Sequence, residues 1–286
     1  MVWAFCVLVV VFLFYVSVLE TRRLKVNNVT VNLPRLPLSL DGLTVAVLGD
    51  LHVRTNDLGC RISERAIAAV NALRPDIVCV VGDMVHWGSG ADRAVALLSR
   101  LQANFGVFAC LGNHDHNCAG DSKEPHPWGG PVVGSGEWKK KLDVFGITCL
   151  VNEAVAVNVG DGCLWVSGVD DPHTGRDDLK KALTAVGGER PCLMLAHSPD
   201  IVDDPGIGCI DLVLSGHTHG GQVVLPLLGP FMAPCRYPRK RGGGGLRTVN
   251  GTNLFVTRGL WSALWLRFNC PPEVALLTLR TPRDAI

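Results

Sequence analysis

The chain has 286 residues, and its charge is almost balanced, with 27 Lys and Arg against 26 Asp and Glu. The resulting net charge of +1 excludes a protein that binds nucleic acid through a globally basic surface. An apolar fraction of 48% and a mean hydropathy of +0.26 exclude a disordered chain and are high for a purely soluble protein. The sequence has no internal repeat, which excludes a solenoid.

The amino terminus holds a long apolar run. Residues 2–19 carry no charged side chain, and at about 1.5 Å per residue the run nearly matches a bilayer core of about 30 Å. A cleaved signal peptide is the alternative, but no Lys or Arg precedes the run and residues 17–19 form a poor cleavage site. We therefore expect an uncleaved, single-pass transmembrane anchor over residues 1–20.

Basic residues follow the predicted anchor directly. Arg22, Arg23 and Lys25 lie just after it, whereas only the α-amine precedes it. Because loops rich in Lys and Arg stay on the cytoplasmic side of a membrane, this asymmetry predicts that the following domain lies at the cytoplasmic face.

The 11 cysteines do not form the pattern of a disulfide scaffold. Several lie inside apolar runs, such as Cys79 in IVCVVGD and Cys110 in VFACLGN. Their odd total and irregular spacing favour buried, reduced thiols in a reducing compartment. The chain has no CxxC pair, so a structural zinc site of that type is not supported.

Strands and helices alternate after a short strand and tether, which we place at residues 21–42. In the first half we predict strands at 43–48, 77–81 and 106–111, and helices at 62–73 and 91–101. In the second half we predict strands at 155–159, 163–169, 192–196, 211–214, 254–257 and 274–279, a helix at 177–186, and a surface loop at 118–137. This alternation is typical of an α/β domain with buried central strands. We expect one layered domain over residues 43–281 and a tail at 282–286.

Several predicted strands end in residue types that bind metal ions. The units are, in order, Gly49-Asp50-Leu51-His52, Gly82-Asp83, Gly112-Asn113-His114-Asp115, Ala196-His197 and Gly216-His217-Thr218-His219. A single Gly-Asp is usually a turn and a lone His is usually a core residue, but five such units in order indicate one site. In open α/β sheets the loops beyond the strand carboxyl ends form the binding crevice. We expect extended backbone in the Asp-x-His and His-x-His units, which would point alternate side chains to one side.

The candidate ligands are carboxylate, amide and imidazole groups. This mixture suits Mn²⁺, Fe²⁺ or Zn²⁺ and fits neither an all-oxygen Mg²⁺ or Ca²⁺ cage nor a thiolate site. Seven such residues are too many for one tetrahedral ion, but they fit two ions that share a carboxylate. Two ions about 3.5–4 Å apart hold a phosphoryl group and produce a water nucleophile at neutral pH. The sequence therefore predicts two divalent cations, with Mn²⁺ favoured.

The ordered set GDxH, GD, GNHD, H and GHTHGGQ resembles the calcineurin-like metallophosphoesterase superfamily over residues 43–281. GHTHGGQ and the later RFNCPPEVALLTL most resemble its membrane-anchored bacterial branch, which includes single-span phosphoesterases and UDP-2,3-diacylglucosamine pyrophosphatases. The resemblance implies an α/β fold of four layers, a β-sandwich flanked by helices, after one transmembrane helix. It also implies hydrolysis of a phosphoester.

The resemblance assigns roles to the motif residues. The ligands of a first metal ion would be Asp50, His52 and His219, the bridging ligand would be Asp83, and the ligands of a second ion would be Asn113, His197 and His217. His114 would stabilise the transition state or protonate the leaving oxygen, with Asp115 fixing its ring. An imidazole oriented by a neighbouring carboxylate is a recurrent acid–base arrangement.

Four further residues are candidates for binding the substrate. His86 and His116 lie beside motif residues, and the alternative for both is a supporting structural role. Arg236 and Arg239 belong to a basic cluster that suits a phosphate or an anionic headgroup.

Residues 223–235 are apolar and rich in proline, which makes an ordinary helix or central strand impossible. One interpretation is an apolar surface for acyl chains or membrane, and the other is a core loop. We expect Trp261 and Trp265, together with Leu260 and Leu264, to lie in the core, with a second apolar lip as the alternative.

These observations predict a two-metal phosphoester hydrolase at the membrane that cleaves a phosphodiester or pyrophosphate bond. The substrate would be lipid-linked, such as UDP-2,3-diacylglucosamine in lipid A biosynthesis. The alternative is a phosphodiesterase or phosphatase for a soluble or envelope compound. A non-catalytic membrane binding module is disfavoured because every candidate ligand is present, and no basic stripe supports a nucleic acid partner.

Overall fold

Two six-stranded sheets form the centre of the fold. A computed structural model of the chain describes residues 2–55, 60–118, 124–127, 129–188, 190–231, 233–236 and 243–282. Across the first sheet lie β1 (Lys25–Asn32), β14 (Glu273–Arg280), β2 (Thr44–Leu48), β3 (Ile77–Val81), β4 (Val107–Cys110) and β5 (Ile147–Cys149). Across the second lie β12 (Gly245–Val249), β13 (Thr252–Val256), β9 (Leu212–Ser215), β8 (Cys192–Leu195), β7 (Gly162–Gly168) and β6 (Glu153–Val159).

The central strands of both sheets run parallel. They are β2 to β5 in the first sheet, and β7, β8, β9 and β13 in the second. Because the strands of each set point the same way, their carboxyl ends meet at one edge. A separate two-stranded hairpin, β10 (Val224–Leu225) and β11 (Gly229–Pro230), follows β9.

Apolar side chains fill three interfaces and so create four layers. Between the sheets, Val45 and Val47 of β2 belong to one buried cluster with Leu193 and Leu214 of the second sheet. The outer face of the first sheet is covered by α3 (Cys60–Leu73), α4 (Ala91–Leu98) and α5 (Ser135–Asp143). The outer face of the second sheet is covered by α6 (Leu179–Ala182) and the short 3₁₀ segments Pro199–Asp203 and Pro205–Cys209. The four-layer α/β architecture predicted from the resemblance is confirmed.

Three predicted elements differ from the structure. The helix predicted at 91–101 ends at Leu98, and the helix predicted at 177–186 is α-helical only over Leu179–Ala182. The loop predicted at 118–137 gives way to α5 at Ser135. In α5 only Trp138 and Leu142 are buried, so its apolar face is one stripe between lysines and is easily missed.

The structure agrees with the prediction of buried, unpaired thiols for the cysteines that lie in strands. Cys79, Cys110 and Cys192 are buried as free thiols in β3, β4 and β8. Burial raises the pKa of the Cys192 thiol to about 12, which keeps it protonated.

The amino-terminal apolar run is helical. It comprises α1 (Val2–Phe14), a π-helical turn at Tyr15–Leu19 and α2 (Glu20–Arg22). The stretch from Trp3 to Arg22 is long and apolar enough for one membrane crossing, judged by its length and composition.

The strand predicted within residues 21–42 is β1. It pairs with β14 in parallel from Lys25 to Asn32, so these residues belong to the sheet and not to a free tether. We therefore propose that the folded domain begins at β1. The remaining boundaries stay predictions, and 283–286 lie outside the described residues.

Candidate metal centre

Loops from both sheets converge at the strand carboxyl ends. The first sheet contributes Asp50 after β2, Asp83 after β3 and Asn113 after β4, while the second contributes His197 after β8 and the loop of His217 and His219 after β9. All six are buried. The site is therefore built across the two-sheet interface, and neither sheet provides it alone.

Two groups of three side chains form at this junction. One consists of Asp50, His52 and His219, and the other of Asp83, His197 and His217, with the ligand atoms of each group within 4.8 Å of one another. Oδ2 of Asp83 lies 3.2 Å from Nε2 of His197 in its own group and 3.4 Å from Nε2 of His52 in the other. Asp83 thus stands where a carboxylate shared by both groups would stand.

The backbone at these residues is strained. φ is positive at Asp50 (52°), His52 (47°), Asp83 (50°), His217 (67°) and His219 (49°). The expectation of extended backbone in the Asp-x-His and His-x-His units is therefore wrong. Each such conformation costs about 1–3 kcal/mol and concentrates at functional sites. The two histidines of the His-x-His unit belong to different groups.

A glycine directly before a candidate ligand leaves room for an aspartate side chain of another loop. A Cβ on Gly112 would lie 2.4 Å from Oδ1 of Asp83, and a Cβ on Gly216 would lie 2.8 Å from Oδ2 of Asp50. Because real Cβ atoms are not found at such distances, these two positions require glycine for close packing.

Buried polar atoms at the junction fit a divalent cation. Five of them have no hydrogen-bond partner among the described residues, namely Asp50 Oδ2, His52 Nε2, Asn113 Oδ1, His217 Nε2 and His219 Nδ1. An unpaired buried polar atom costs about 1–3 kcal/mol, so five together call for a partner. Carboxylate, amide and imidazole atoms with free lone pairs supply the donor set that Mn²⁺, Fe²⁺ and Zn²⁺ accept.

The Asn113 amide is oriented by the chain itself. Its Nδ2 donates to the carbonyl of Cys118 at 3.1 Å, which fixes Oδ1 as the atom that remains free. The amide oxygen is therefore available as a ligand, as the sequence predicts.

Burial and neighbouring charges shift the pKa values of Asp50 and Asp83 in opposite directions. Burial raises the pKa of Asp50 to about 7, and the nearby Asp83 charge adds to the effect. Burial also acts on Asp83, but His197, His114 and His52 outweigh it and hold the pKa of Asp83 well below its ordinary value. Burial lowers the pKa of His219 to about 3, so its imidazole is neutral and able to donate a lone pair.

His114 lies over the first group. Its ring centroid is 4.4 Å from that of His52, and its backbone N–H donates to Oδ1 of Asp83 at 2.9 Å. Burial lowers the pKa of the ring, and Nδ1 has no hydrogen-bond partner among the described residues. The ring is thus placed beside the candidate ligands with one nitrogen uncommitted.

The expectation that Asp115 fixes the His114 ring is wrong. The Asp115 carboxylate accepts backbone N–H groups from Met84 at 2.8 Å, Val85 at 3.1 Å and Gly112 at 2.9 Å. These three hydrogen bonds occupy both oxygens. Asp115 therefore fixes the loops that carry Asp83 and His114, and its effect on the ring is indirect.

His86 adjoins the first group. Its Nδ1 lies 3.2 Å from Nδ1 of His52, and Arg54 donates from Nη2 to its Nε2 at 2.8 Å. His52, His86 and His114 also form a third group whose ligand atoms lie within 4.8 Å of one another. The Arg54 guanidinium would repel a cation there, so this third group is a poorer metal site than the other two.

The other candidates for substrate binding are held elsewhere. His116 is 2% exposed, and its Nε2 lies 2.6 Å from Oδ1 of Asp170. Arg236 directs Nη1 to Asp203 at 3.0 Å. The contact with Asp170 favours the structural alternative for His116, and the contact with Asp203 favours a surface role for Arg236; substrate binding by either residue stays a prediction. Arg239 lies outside the described residues.

Two residues of the site have no motif in the sequence. Trp261 donates its backbone N–H to the carbonyl of Asp50 at 2.9 Å, and its ring centroid lies 4.6 Å from that of His52. Arg54 follows the Asp-x-His unit by two positions, and this proximity is the signal in the sequence that points to it. The core expectation for 260–265 holds for Leu260, which is 1% exposed, and is wrong for Leu264 (81%) and Trp265 (70%).

Comparison with known proteins agrees with this geometry. The family described as calcineurin-like phosphoesterase matches residues 43–221. Phosphodiesterase YaeI of Escherichia coli is 31% identical over 82% of this chain and 81% of its own length. A transmembrane protein with metallophosphoesterase domain of Bos taurus is 30% identical over 73% of this chain and 48% of its own. The UDP-2,3-diacylglucosamine pyrophosphatase LpxG of Chlamydia trachomatis is 25% identical over 91% and 90%.

The family match covers more than half of the chain and includes the loops that carry both three-residue groups. The transmembrane relative and the apolar helix together suggest membrane anchoring. On these grounds the chain belongs to the calcineurin-like phosphoesterase family and is a phosphoester hydrolase.

Proposed function

We propose that this chain is a membrane-anchored, two-metal hydrolase that cleaves a phosphodiester or pyrophosphate bond in a lipid-linked substrate. The reaction class is supported by the two three-residue groups, because Asp83 of one group also lies close to His52 of the other. A domain on the cytoplasmic face agrees with Arg22, Arg23 and Lys25 directly after the apolar helix.

The ligand assignment follows the two groups. Asp50, His52 and His219 would hold one divalent cation, and Asn113, His197 and His217 the other, with Asp83 shared. Two cations side by side polarise a phosphoryl oxygen and supply a water nucleophile at neutral pH. The identity of the metal within Mn²⁺, Fe²⁺ and Zn²⁺ is part of the proposal, and Mn²⁺ is favoured.

His114 acts at the leaving group. As water attacks phosphorus, the bond from phosphorus to the leaving oxygen breaks and that oxygen takes up a proton. The His114 ring lies beside the first group with Nδ1 uncommitted. An imidazole in this position supplies that proton or stabilises the charge on the oxygen.

Arg54 and His86, which adjoin the first group of candidate ligands, suit the binding of an anionic substrate. Arg54 carries an exposed guanidinium against His86. A planar guanidinium recognises phosphate with paired hydrogen bonds. We propose that Arg54 and His86, and not Arg236, contact the non-reacting phosphate.

The named substrate is UDP-2,3-diacylglucosamine, whose cleavage would yield UMP and a lipid phosphate. It is supported by the likeness to LpxG over most of both chains and by the apolar helix. The second candidate is a phosphodiester without a lipid, which the greater identity to the phosphodiesterase YaeI favours.

The test uses detergent-solubilised full chain, stripped of metal and reloaded with Mn²⁺. Hydrolysis of UDP-2,3-diacylglucosamine is compared with that of an aryl phosphodiester, with Asp83→Ala as the blank and the exposed Asp143→Ala as its matched control. Strong preference for the lipid nucleotide would support the lipid A pathway. Activity on the aryl ester alone would leave the phosphodiesterase and reject the lipid substrate, and no activity on either would contradict both.

A further inference from the structure

The second half of the amino-terminal apolar helix is docked on the domain. The 20 residues of the helix from Trp3 to Arg22 span about 30 Å, the thickness of a bilayer core. From Tyr15 onward one face of the helix lies against the domain, and Val16 and Glu20 are each 1% exposed. These contacts lie within the apolar stretch itself, so a helix that crosses the membrane over Trp3–Arg22 brings the domain surface beside it to the depth of the bilayer.

A strip of the domain, formed by Arg267 and Phe268, lies along the helix. The N–H of Arg267 donates to the carbonyl of Val16 at 3.0 Å, and the Phe268 ring packs edge-on against Phe12 with centroids 5.6 Å apart. Phe12 is ten residues before Arg22, which is about 15 Å along the helix axis. The strip thus reaches to the level of the middle of the helix.

Exposed apolar side chains flank this strip. We define the apolar rim as Leu227, Leu228, Phe231, Leu264 and Trp265, which are 108%, 61%, 72%, 81% and 70% exposed. Such a concentration of large apolar side chains in two adjoining loops is unusual for a surface that faces water.

The two loops of the apolar rim are tied to the strip. Val224 donates its N–H to the carbonyl of Phe268 at 2.9 Å, and Phe268 donates to Gln222 at 2.9 Å. The Gln222 side chain also accepts the N–H of Ala263 at 2.7 Å. Both loops are therefore fixed beside the helix, and their position does not depend on a flexible linker.

The loop tips hold apolar residues in an unfavourable backbone conformation. φ is positive at Leu227 (68°), Leu264 (53°) and Trp265 (54°). Bulky residues rarely adopt this region, and here each one is directed outward. Strain of this kind is retained where an environment outside the loop compensates for it.

We propose that the apolar rim is embedded in the hydrocarbon of the bilayer leaflet next to the docked half of the helix. Embedding places the rim at the same depth as the docked half of the helix, and it removes the exposed side chains from water. Continuity with the apolar helix favours lipid over a protein partner as the occupant of this surface.

Embedding would direct the candidate metal centre toward lipid. The first rim loop follows His219 within a few residues, and the second follows Trp261, whose ring contacts His52. A lipid-linked substrate would reach the site without leaving the leaflet. This consequence rests on the proposed function, whereas the embedding does not.

The test measures tryptophan fluorescence of the full chain in vesicles of phosphatidylcholine that carries bromine at a shallow or a deep acyl position. We expect Trp265→Phe to lose a distinct part of the quenching, and Trp165→Phe, on a strand of the second sheet, to lose none. Trp3, in the free part of the helix, remains quenched in every variant and reports insertion. Equal quenching in Trp265→Phe and the original chain would overturn the proposal.

A second variant tests the other rim loop and the competing occupant. In Leu228→Asp combined with Phe231→Asp, the charged rim should leave the hydrocarbon and Trp265 quenching should fall, while Trp3 stays quenched. A change from dimer to monomer without a loss of Trp265 quenching would assign the surface to a second copy of the chain and overturn the proposal. Neither measurement uses hydrolysis, so failure of the proposed function would be seen separately.

Discussion

The backbone N–H of Cys270 donates to Oε1 of Glu20 at 3.2 Å, although 250 positions separate the two residues. Cys270 in turn directs its thiol to the carbonyl of His219 at 3.4 Å. The end of the apolar helix is thereby joined through one residue to a candidate metal ligand. The apolar helix is therefore a structural part of the domain.

Removal of the Glu20 carboxylate should destabilise the domain. In Glu20→Ala the buried N–H of Cys270 loses its partner, at a cost of about 1–3 kcal/mol in the free energy of unfolding. Glu20→Gln retains an acceptor oxygen and should lose less than half of this. Thermal unfolding of the full chain in detergent measures both, with the exposed Leu19→Ala as control. Equal midpoints for Glu20→Ala and Leu19→Ala would show that the contact contributes nothing.

His114→Ala should separate catalysis from metal binding. The ring lies beside the first group but is not one of its three members, so the variant should keep its metal content. Loss of an acid or charge stabiliser should lower kcat about 10²–10⁴-fold. Elemental analysis and kcat for an aryl phosphodiester are measured together, with Asp83→Ala as the variant that loses metal. A metal-free His114→Ala would make His114 a ligand and refute its role at the leaving group.

Gly112→Ala should damage the site although it adds only a methyl group. The new Cβ would lie 2.4 Å from Oδ1 and 2.7 Å from the backbone nitrogen of Asp83, so the shared carboxylate must move. We expect a loss of about 1–3 kcal/mol from overpacking and reduced metal content.

The matched control for this substitution is Gly136→Ala. A Cβ there meets nothing within 4 Å, and the position lies within α5. Because Gly136 lies in the first turn of α5, alanine there should raise the free energy of unfolding by less than the roughly 1 kcal/mol expected in a helix interior. If Gly112→Ala were as stable and as rich in metal as Gly136→Ala, close packing at Asp83 would not matter.

The strand-end motifs made the core of the site predictable. Asp50, Asp83 and His197 each follow a short apolar run, and parallel strands bring such ends together whatever the loops do. The backbone conformation was not predictable in this way, because a strand followed by a polar loop does not specify the positive φ found at His217 and His219.

The positions of residues outside the motifs could not be predicted, because tertiary contacts determine them. Glu20 is the first charged residue after the apolar run, and nothing in the sequence indicates that it is buried beside Cys270. Asp115 was predicted to be a partner of its neighbour His114, but its oxygens accept backbone N–H groups from Met84 and Val85 of another loop and from Gly112 of its own loop. The exposed rim residues resemble core residues in sequence, because hydrophobicity does not distinguish a protein interior from a bilayer.

The pair of Asp170 and His116 should make stability depend on pH in the acid range. Burial raises the pKa of Asp170, but hydrogen bonds from His116 at 2.6 Å and Ser135 at 2.8 Å outweigh it and hold the pKa below its ordinary value of 3.8. Near pH 4 the unfolded chain therefore binds more protons at this position than the folded one. The stabilisation is present above that pH and declines as the pH falls through the folded pKa.

Asp170→Asn should remove this dependence, because the amide does not titrate. Urea unfolding of the full chain in detergent from about pH 5 down to about pH 3 would give the difference in free energy between the original chain and the variant. That difference should be largest at the upper end and shrink toward the lower end. A difference that stays constant over the range would mean that Asp170 titrates alike in both states, and that its bond to His116 is not charge-assisted. The exposed Asp143→Asn should show no difference at any pH in the range.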